Sequence, residues 1–105
     1  MSALANFTPA MINSTANENG WDTTEFRGGM EVTFDQTTKL ARYRVTVVYS
    51  SRCGITAAWL HVRPSGADRW SGGEWTMLDG KTARKRETVI RWLAGDFEAG
   101  SQYRI

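Results

Sequence analysis

The sequence predicts an α+β fold, an antiparallel β-meander with a C-terminal helix packed on one of its faces, completed by dimerisation. Three observations predict it. In three runs, Met30 to Phe34, Tyr43 to Tyr49 and Ala58 to Val62, apolar residues recur at every second position, the period of strands that are buried on one side and wet on the other. Between Thr82 and Ala94 the period changes to that of a helix. A chain of 105 residues holds one hydrophobic core rather than two, so it is a single domain. Its divisions are an irregular N-terminal arm or short hairpin over 1–29, an antiparallel sheet over 30–79, the helix over 82–94 and a tail over 95–105.

The arm has no clear period. Thr8-Pro9, Asn13-Ser14-Thr15, Asn17, Asn19-Gly20 and Gly28-Gly29 are turn and loop chemistry, with room for short strands or one weak helical turn near Ala10 to Ala16. Trp21 and Phe26 are its expected anchors. From there Met30, Val32 and Phe34 alternate with Glu31, Thr33 and Asp35. A polar turn, Gln36 to Lys39, leads to a second strand in which Tyr43, Val45, Val47 and Tyr49 alternate with Arg42, Arg44, Thr46 and Val48. Ser50 to Gly54 closes that strand. Ile55 to Val62 forms the next, ended by Pro64, with Ala58, Leu60 and Val62 on one face and Trp59, His61 and Arg63 on the other. Ser65 to Gly73 is a loop by composition with Trp70 near its tip, Glu74 to Leu78 a short strand, and Asp79-Gly80 a turn.

In the segment that follows, Ala83, Arg86, Val89, Ile90 and Leu93 share one helical stripe, with Thr82 as N-cap and Gly95 as C-cap. A strand over Thr88 to Ala94 is the rival reading, because Thr88, Ile90 and Trp92 also alternate. Tyr103 and Ile105 are late apolar anchors.

Composition narrows function mostly by exclusion. The longest apolar run, Val45 to Tyr49, is far too short for a bilayer, and the first residues have no leader-like basic and apolar segments, so no membrane partner is expected. Cys53 is alone and His61 is the single histidine, which leaves no intrachain disulfide and no zinc ligand set, as in a reducing cytoplasm. No triad, nucleophile elbow or phosphate-cradling glycine loop accompanies them, so no catalytic residue, cofactor, metal or small-molecule substrate is assigned and the chain is read as non-enzymatic. Two weights remain: five tryptophans, and ten arginines against three lysines in a net charge of +2. Arginine suits phosphate and buried interface pairs.

Strand alternation puts Glu31, Thr33 and Asp35 beside Arg42, Arg44 and Thr46, with His61 and Arg63 following, on the wet side of the sheet. Cations, hydroxyls and a stackable ring are the groups that contact RNA phosphates, 2′-hydroxyls and unstacked bases. The competing reading is an ordinary half-exposed sheet with cross-strand Arg–Glu and Arg–Asp pairs.

The order Asn19-Gly20-Trp21, then the hairpin from Met30 to Tyr49 with its Gln/Thr-rich turn and Arg42-Tyr43 opening, then Ala57-Ala58-Trp59, a loop, a short strand and the Thr82 to Ala94 helix resembles the coat proteins of the single-stranded RNA bacteriophages. The resemblance implies a structural capsid subunit: a homodimer whose meanders form one continuous sheet, helices that clasp the partner, and many dimers closing a shell around RNA. The location implied is the virion, with synthesis in the host bacterial cytoplasm. It directs Thr33, Arg42, Arg44, Thr46, His61 and Arg63 toward the packaged RNA. It places Trp70 at contacts around symmetry axes, and the helix residues Val89, Ile90, Trp92 and Leu93 at the dimer or assembly interface. A helix stripe with no obvious intrachain partner agrees with such an interface. The alternatives are a small β-rich binding module for nucleic acid or a protein partner, and a carbohydrate-binding β-sandwich using Trp70 and Trp75 as stacking platforms, which would need the strand reading of Thr88 to Ala94.

Overall fold

A computed structural model describes residues 7–66 and 82–99, in the order α1 (Phe7–Glu18), β1 (Asp22–Phe26), a 3-10 turn (Arg27–Gly29), β2 (Glu31–Thr37), β3 (Ala41–Tyr49), β4 (Ile55–Pro64) and α2 (Thr82–Leu93). The four strands form an antiparallel sheet in sequence order, a meander. Both helices belong to one side of it, so the α+β class is realised. The expected strand Glu74 to Leu78, the Trp70 and Trp75 positions and the apolar anchors Tyr103 and Ile105 lie outside the described residues.

The period-two pattern sets the register. Val32 and Phe34 of β2 stand opposite Val47 and Val45 of β3, which stand opposite Ala58 and Leu60 of β4, and all six are buried. A one-residue slip would turn every one of these side chains to water, which is why the alternation specifies the pairing so strongly. Near the end of β3 a bulge omits Thr56 from the pairing, so that buried Ile55 stands opposite buried Tyr49 on the core side.

The N-terminal region departs from expectation. In place of one weak helical turn near Ala10 to Ala16 it has a full helix of 12 residues, and one short strand of the kind allowed for, β1, follows and pairs with β2. Its sequence hides the helix because Asn13, Ser14, Thr15 and Asn17 are poor helix formers that favour turns. Tertiary packing supplies what propensity lacks: Thr8, Ile12 and Ala16, spaced four apart on one face, are buried, and α1 packs on α2 and β1. Pro9 falls in the first turn, where its missing N–H forfeits no helical bond. At the other end the Gly20 N–H donates to Asn17 O and the Trp21 N–H to Ala16 O, with Gly20 at φ +78°, a Schellman cap that turns the chain into β1. Trp21 is the buried anchor expected of this segment; Phe26 is not, being 48% exposed. Met30, expected inward, is also exposed because the 3-10 turn places it just ahead of β2.

The helical reading of 82–94 holds, ending at Leu93. Gly95, at φ +101°, closes it with the same cap, its N–H donating to Trp92 O and the Asp96 N–H to Arg91 O. The expectation that its apolar stripe lacks an intrachain partner is overturned. Val89, Trp92 and Leu93 are fully buried in the chain's own core with Ile12, Phe34, Val45 and Leu60, and Ile90 packs partly buried against them. Each such burial stabilises the fold by about 1.5–3 kcal/mol. Polar contacts fix the helix in place: Trp21 Nε1 donates to Leu93 O at 2.7 Å, Arg86 to Thr8 Oγ1 at 3.3 Å, and the buried Lys85 ammonium to Ile55 O at 3.1 Å. Beyond α2, Trp92 Nε1 donates to Ala99 O at 2.8 Å, and Phe97 stacks on Tyr43 at 4.1 Å. This return segment caps the core beside β3.

Candidate nucleic-acid interface

With α1 and α2 on one side, alternation sends the remaining side chains of the sheet to the other. Across β3 and β4 the register makes three successive cross-strand pairs on this open face: Arg42 with Arg63, Arg44 with His61, and Thr46 with Trp59. On the β2 side, Thr37, Asp35 and Thr33 continue the same three rows. The six residues expected to face RNA therefore share one contiguous surface. Trp59, which strand alternation groups with His61 and Arg63, stands half-buried among them, on the side opposite buried Ala58 and Leu60. Phe26, an exposed aromatic ring on the edge strand, joins the same face opposite Glu31.

Charge on the face is segregated by strand. The carboxylates Asp22, Glu31 and Asp35 come from β1 and β2, whereas Arg42, Arg44, Arg63 and His61 come from β3 and β4. In the middle row Arg44 Nε donates to Asp35 Oδ1 at 2.8 Å, so the Arg–Asp pairing of an ordinary half-exposed sheet is present there. Such a cross-strand pair contributes about 0.2–1 kcal/mol. It also fixes the guanidinium beside His61. The cationic half is thus a band about two strands wide, with the Arg42–Arg63 row at its end farthest from the carboxylate of Glu31.

A groove of about 390 Å³ opens on this face, lined by Phe26, Glu31, Thr33, Arg44, Thr46 and His61. Thr33, only 9% exposed, lies deep in it. Its walls combine an aromatic ring, an imidazole, a guanidinium and hydroxyls, which offer stacking, hydrogen bonding and charge to one planar polar guest. A smaller notch of about 200 Å³ adjoins the Arg42–Arg63 row at the β2–β3 turn.

The expected assembly residues are disposed otherwise. Val89, Trp92 and Leu93 point into the core and offer no surface to a partner, and Ile90 is only partly exposed. Trp70 lies outside the described residues. Cys53 is half-buried in the turn after β3 with φ +63°. Burial, with a smaller contribution from Cys53, raises the pKa of the Tyr49 phenol above the usual tyrosine range. Among the described residues no cluster of three His, Cys, Asp or Glu groups is placed to hold a metal ion, and no helix is long and apolar enough to cross a membrane.

Comparison with protein-family models, curated proteins and solved structures finds no match to this chain. The likeness to phage coat proteins accordingly stands on the sequence features that first suggested it.

Proposed function

We propose that the chain is a non-enzymatic RNA-contacting protein that binds single-stranded RNA along the open β3–β4 face. The observation that carries this reading is the ladder of cross-strand pairs, Arg42 with Arg63, Arg44 with His61 and Thr46 with Trp59, set on a face that the chain's own helices leave uncovered. Guanidiniums engage phosphates, Trp59 and His61 supply rings for unstacked bases, and Thr33 and Thr46 supply hydroxyl partners. The segregation of charge favours a strand path along β3 and β4, away from Asp22 and Glu31. Binding titrations with a single-stranded RNA at several salt concentrations test it. Neutralising three phosphates gives a log–log slope of about −2, and Arg42→Gln, Arg44→Gln and Arg63→Gln each flatten it, whereas salt-independent or absent binding overturns the reading.

The biological setting we propose is a coat: a self-assembling capsid subunit of a bacterial RNA virus, with the open face toward the packaged RNA. The meander and its Met30 to Tyr49 hairpin support this through the resemblance. In that family the helices clasp a partner; because α2 is committed to its own sheet, copies of this chain would associate through surfaces other than Val89, Trp92 and Leu93. That commitment favours, as the second reading, a binding module that acts without a shell. Size exclusion, negative-stain electron microscopy and the 260/280 nm absorbance ratio separate the two: uniform RNA-rich particles support the coat, and a small species under all assembly conditions leaves the module.

A further inference from the structure

Of the six residues that line the groove of about 390 Å³ on the open face, Arg44 is engaged by Asp35. The side chains of Glu31, Thr33, Thr46 and His61 make no hydrogen bond or ion pair with any described residue. Four hydrogen-bonding groups around one space, one of them on a threonine only 9% exposed, call for a polar guest. Glu31 narrows the choice. A carboxylate only accepts, through two oxygens side by side, and this one stands on a face read as meeting a polyanion. Of the four RNA bases, guanine alone presents two adjacent donors, N1–H and the N2 amino group, on its Watson–Crick edge. Adenine and cytosine set an acceptor beside their one donor group, and uracil sets its N–H between two carbonyls. The register supplies a matching length: Glu31 lies two rows from Arg44 and His61, about 13 Å along the strands. A nucleotide laid across that interval has its phosphate on the cationic β3–β4 half and its ring over Thr33 and Thr46. Its Watson–Crick edge, the side of the base remote from the sugar, then meets Glu31. Phe26, exposed and opposite Glu31 in the register, supplies a ring against the base. The segregation of charge on the face thus follows the polarity of a guanine nucleotide, anionic at one end and donor-rich at the other.

We propose that this groove is a guanine-selective base pocket, in which the Glu31 carboxylate accepts from N1–H and N2–H, Phe26 stacks on the ring, and the Thr33 and Thr46 hydroxyls meet its remaining polar atoms. Delivery of the base by a strand rests on the sheet-face reading. A free guanine nucleotide carries the same groups.

The test is fluorescence anisotropy of the full chain at low ionic strength with short labelled oligouridylates that carry guanosine, inosine, adenosine, cytidine or uridine at one central position, together with isothermal titration by guanosine 5′-monophosphate. Circular dichroism checks that each variant is folded. The guanosine strand is expected to bind about tenfold tighter than the adenosine, cytidine and all-uridine strands. Inosine, which lacks the N2 amino group, loses most of that preference and probes the same contact on the native chain. Glu31→Gln replaces one of the two acceptor oxygens by a donor and abolishes the preference. It binds the all-uridine strand no more weakly than the native chain does, because it also removes a negative charge from the face. Glu25→Gln removes the same charge from β1 on the other side of the sheet, where the register partner is buried Val32, and leaves the preference unchanged within about twofold. Equal binding of all strands by the native chain, a preference for another base, or a guanine preference that survives inosine or Glu31→Gln overturns the pocket, and strand binding that persists leaves the sheet-face reading standing. Binding of guanosine 5′-monophosphate that Glu31→Gln abolishes, without binding of any strand, assigns the pocket to a free nucleotide and overturns the sheet-face reading alone. No binding of strand or nucleotide overturns both.

Discussion

Replacing Leu93 by alanine separates two uses of the same helix. Leu93 is 1% exposed and belongs to a cluster built from α1, three strands and α2, all of one chain. Truncation removes its branched end and leaves a cavity that a rigid sheet cannot close, because β2, β3 and β4 are held in register by their ladders. Buried Leu→Ala changes of this kind cost about 3 kcal/mol, and up to about 5 kcal/mol where the site cannot collapse. The Leu93 carbonyl, which accepts from Trp21 Nε1, is retained, so the loss reports packing alone. For a chain of this size about 3 kcal/mol corresponds to a fall in Tm of roughly 12 °C or more. Thermal and urea unfolding followed by circular dichroism over a hundredfold range of protein concentration is the assay. An intrachain core gives the same shift at every concentration. A loss below about 1 kcal/mol, or a native midpoint that climbs with concentration as linkage to association requires, would refute the assignment of α2 to its own sheet and restore it to an interface between copies.

Three further outcomes follow from the same packing. Trp21→Phe keeps a ring in the core but leaves the buried Leu93 carbonyl without its 2.7 Å donor, and is expected to cost about 1–3 kcal/mol in urea unfolding. Tyr49→Phe tests the buried phenol, whose pKa burial raises: the unfolded chain releases this proton above about pH 10 and the folded chain does not, so stability falls as pH rises through that region, by up to about 1.4 kcal/mol per pH unit. Unfolding at pH 8 and pH 11 should show that loss in the native chain and a smaller one in Tyr49→Phe; equal losses contradict it. Gly95→Ala meets no neighbour within 4 Å of the new Cβ, yet its φ of +101° makes it costly, so it should lower Tm through backbone strain of about 1–2 kcal/mol, and an unchanged Tm would show that the cap is not held.

The sheet was legible in the sequence because period two leaves so little freedom: once Val32, Phe34, Val45 and Val47 must be inside, Thr33, Arg42, Arg44 and Thr46 must be outside, and His61 and Arg63 follow in β4. The α2 helix and its Gly95 cap were legible for a similar reason. The first helix was not. Its buried face amounts to Thr8, Ile12 and Ala16, too small a stripe to stand out among asparagines and hydroxyls, and it is stabilised by residues such as Arg86 that lie far away in the chain. The same non-locality hid β1, whose residues are all exposed and which is specified by its pairing with β2 rather than by a pattern of its own. The notion of a helix stripe without an intrachain partner failed for want of α1: a sheet with one helix leaves α2 half bare, and a second helix alongside encloses it. Segregation of charge between the β1–β2 and β3–β4 halves needed the register, since only the register shows that Arg42 faces Arg63 while Arg44 faces Asp35.

RNA is proposed to lie on the open face along β3 and β4. Amide and side-chain chemical-shift mapping by NMR, with a short single-stranded RNA titrated into the isotope-labelled chain at low salt, tests it most directly. Perturbations are expected to concentrate at Arg42, Arg44, Thr46, Trp59, His61 and Arg63, to fade toward Asp22 and to be absent from α2. Perturbations concentrated on the exposed faces of α1 and α2, or none at saturating RNA, would contradict it.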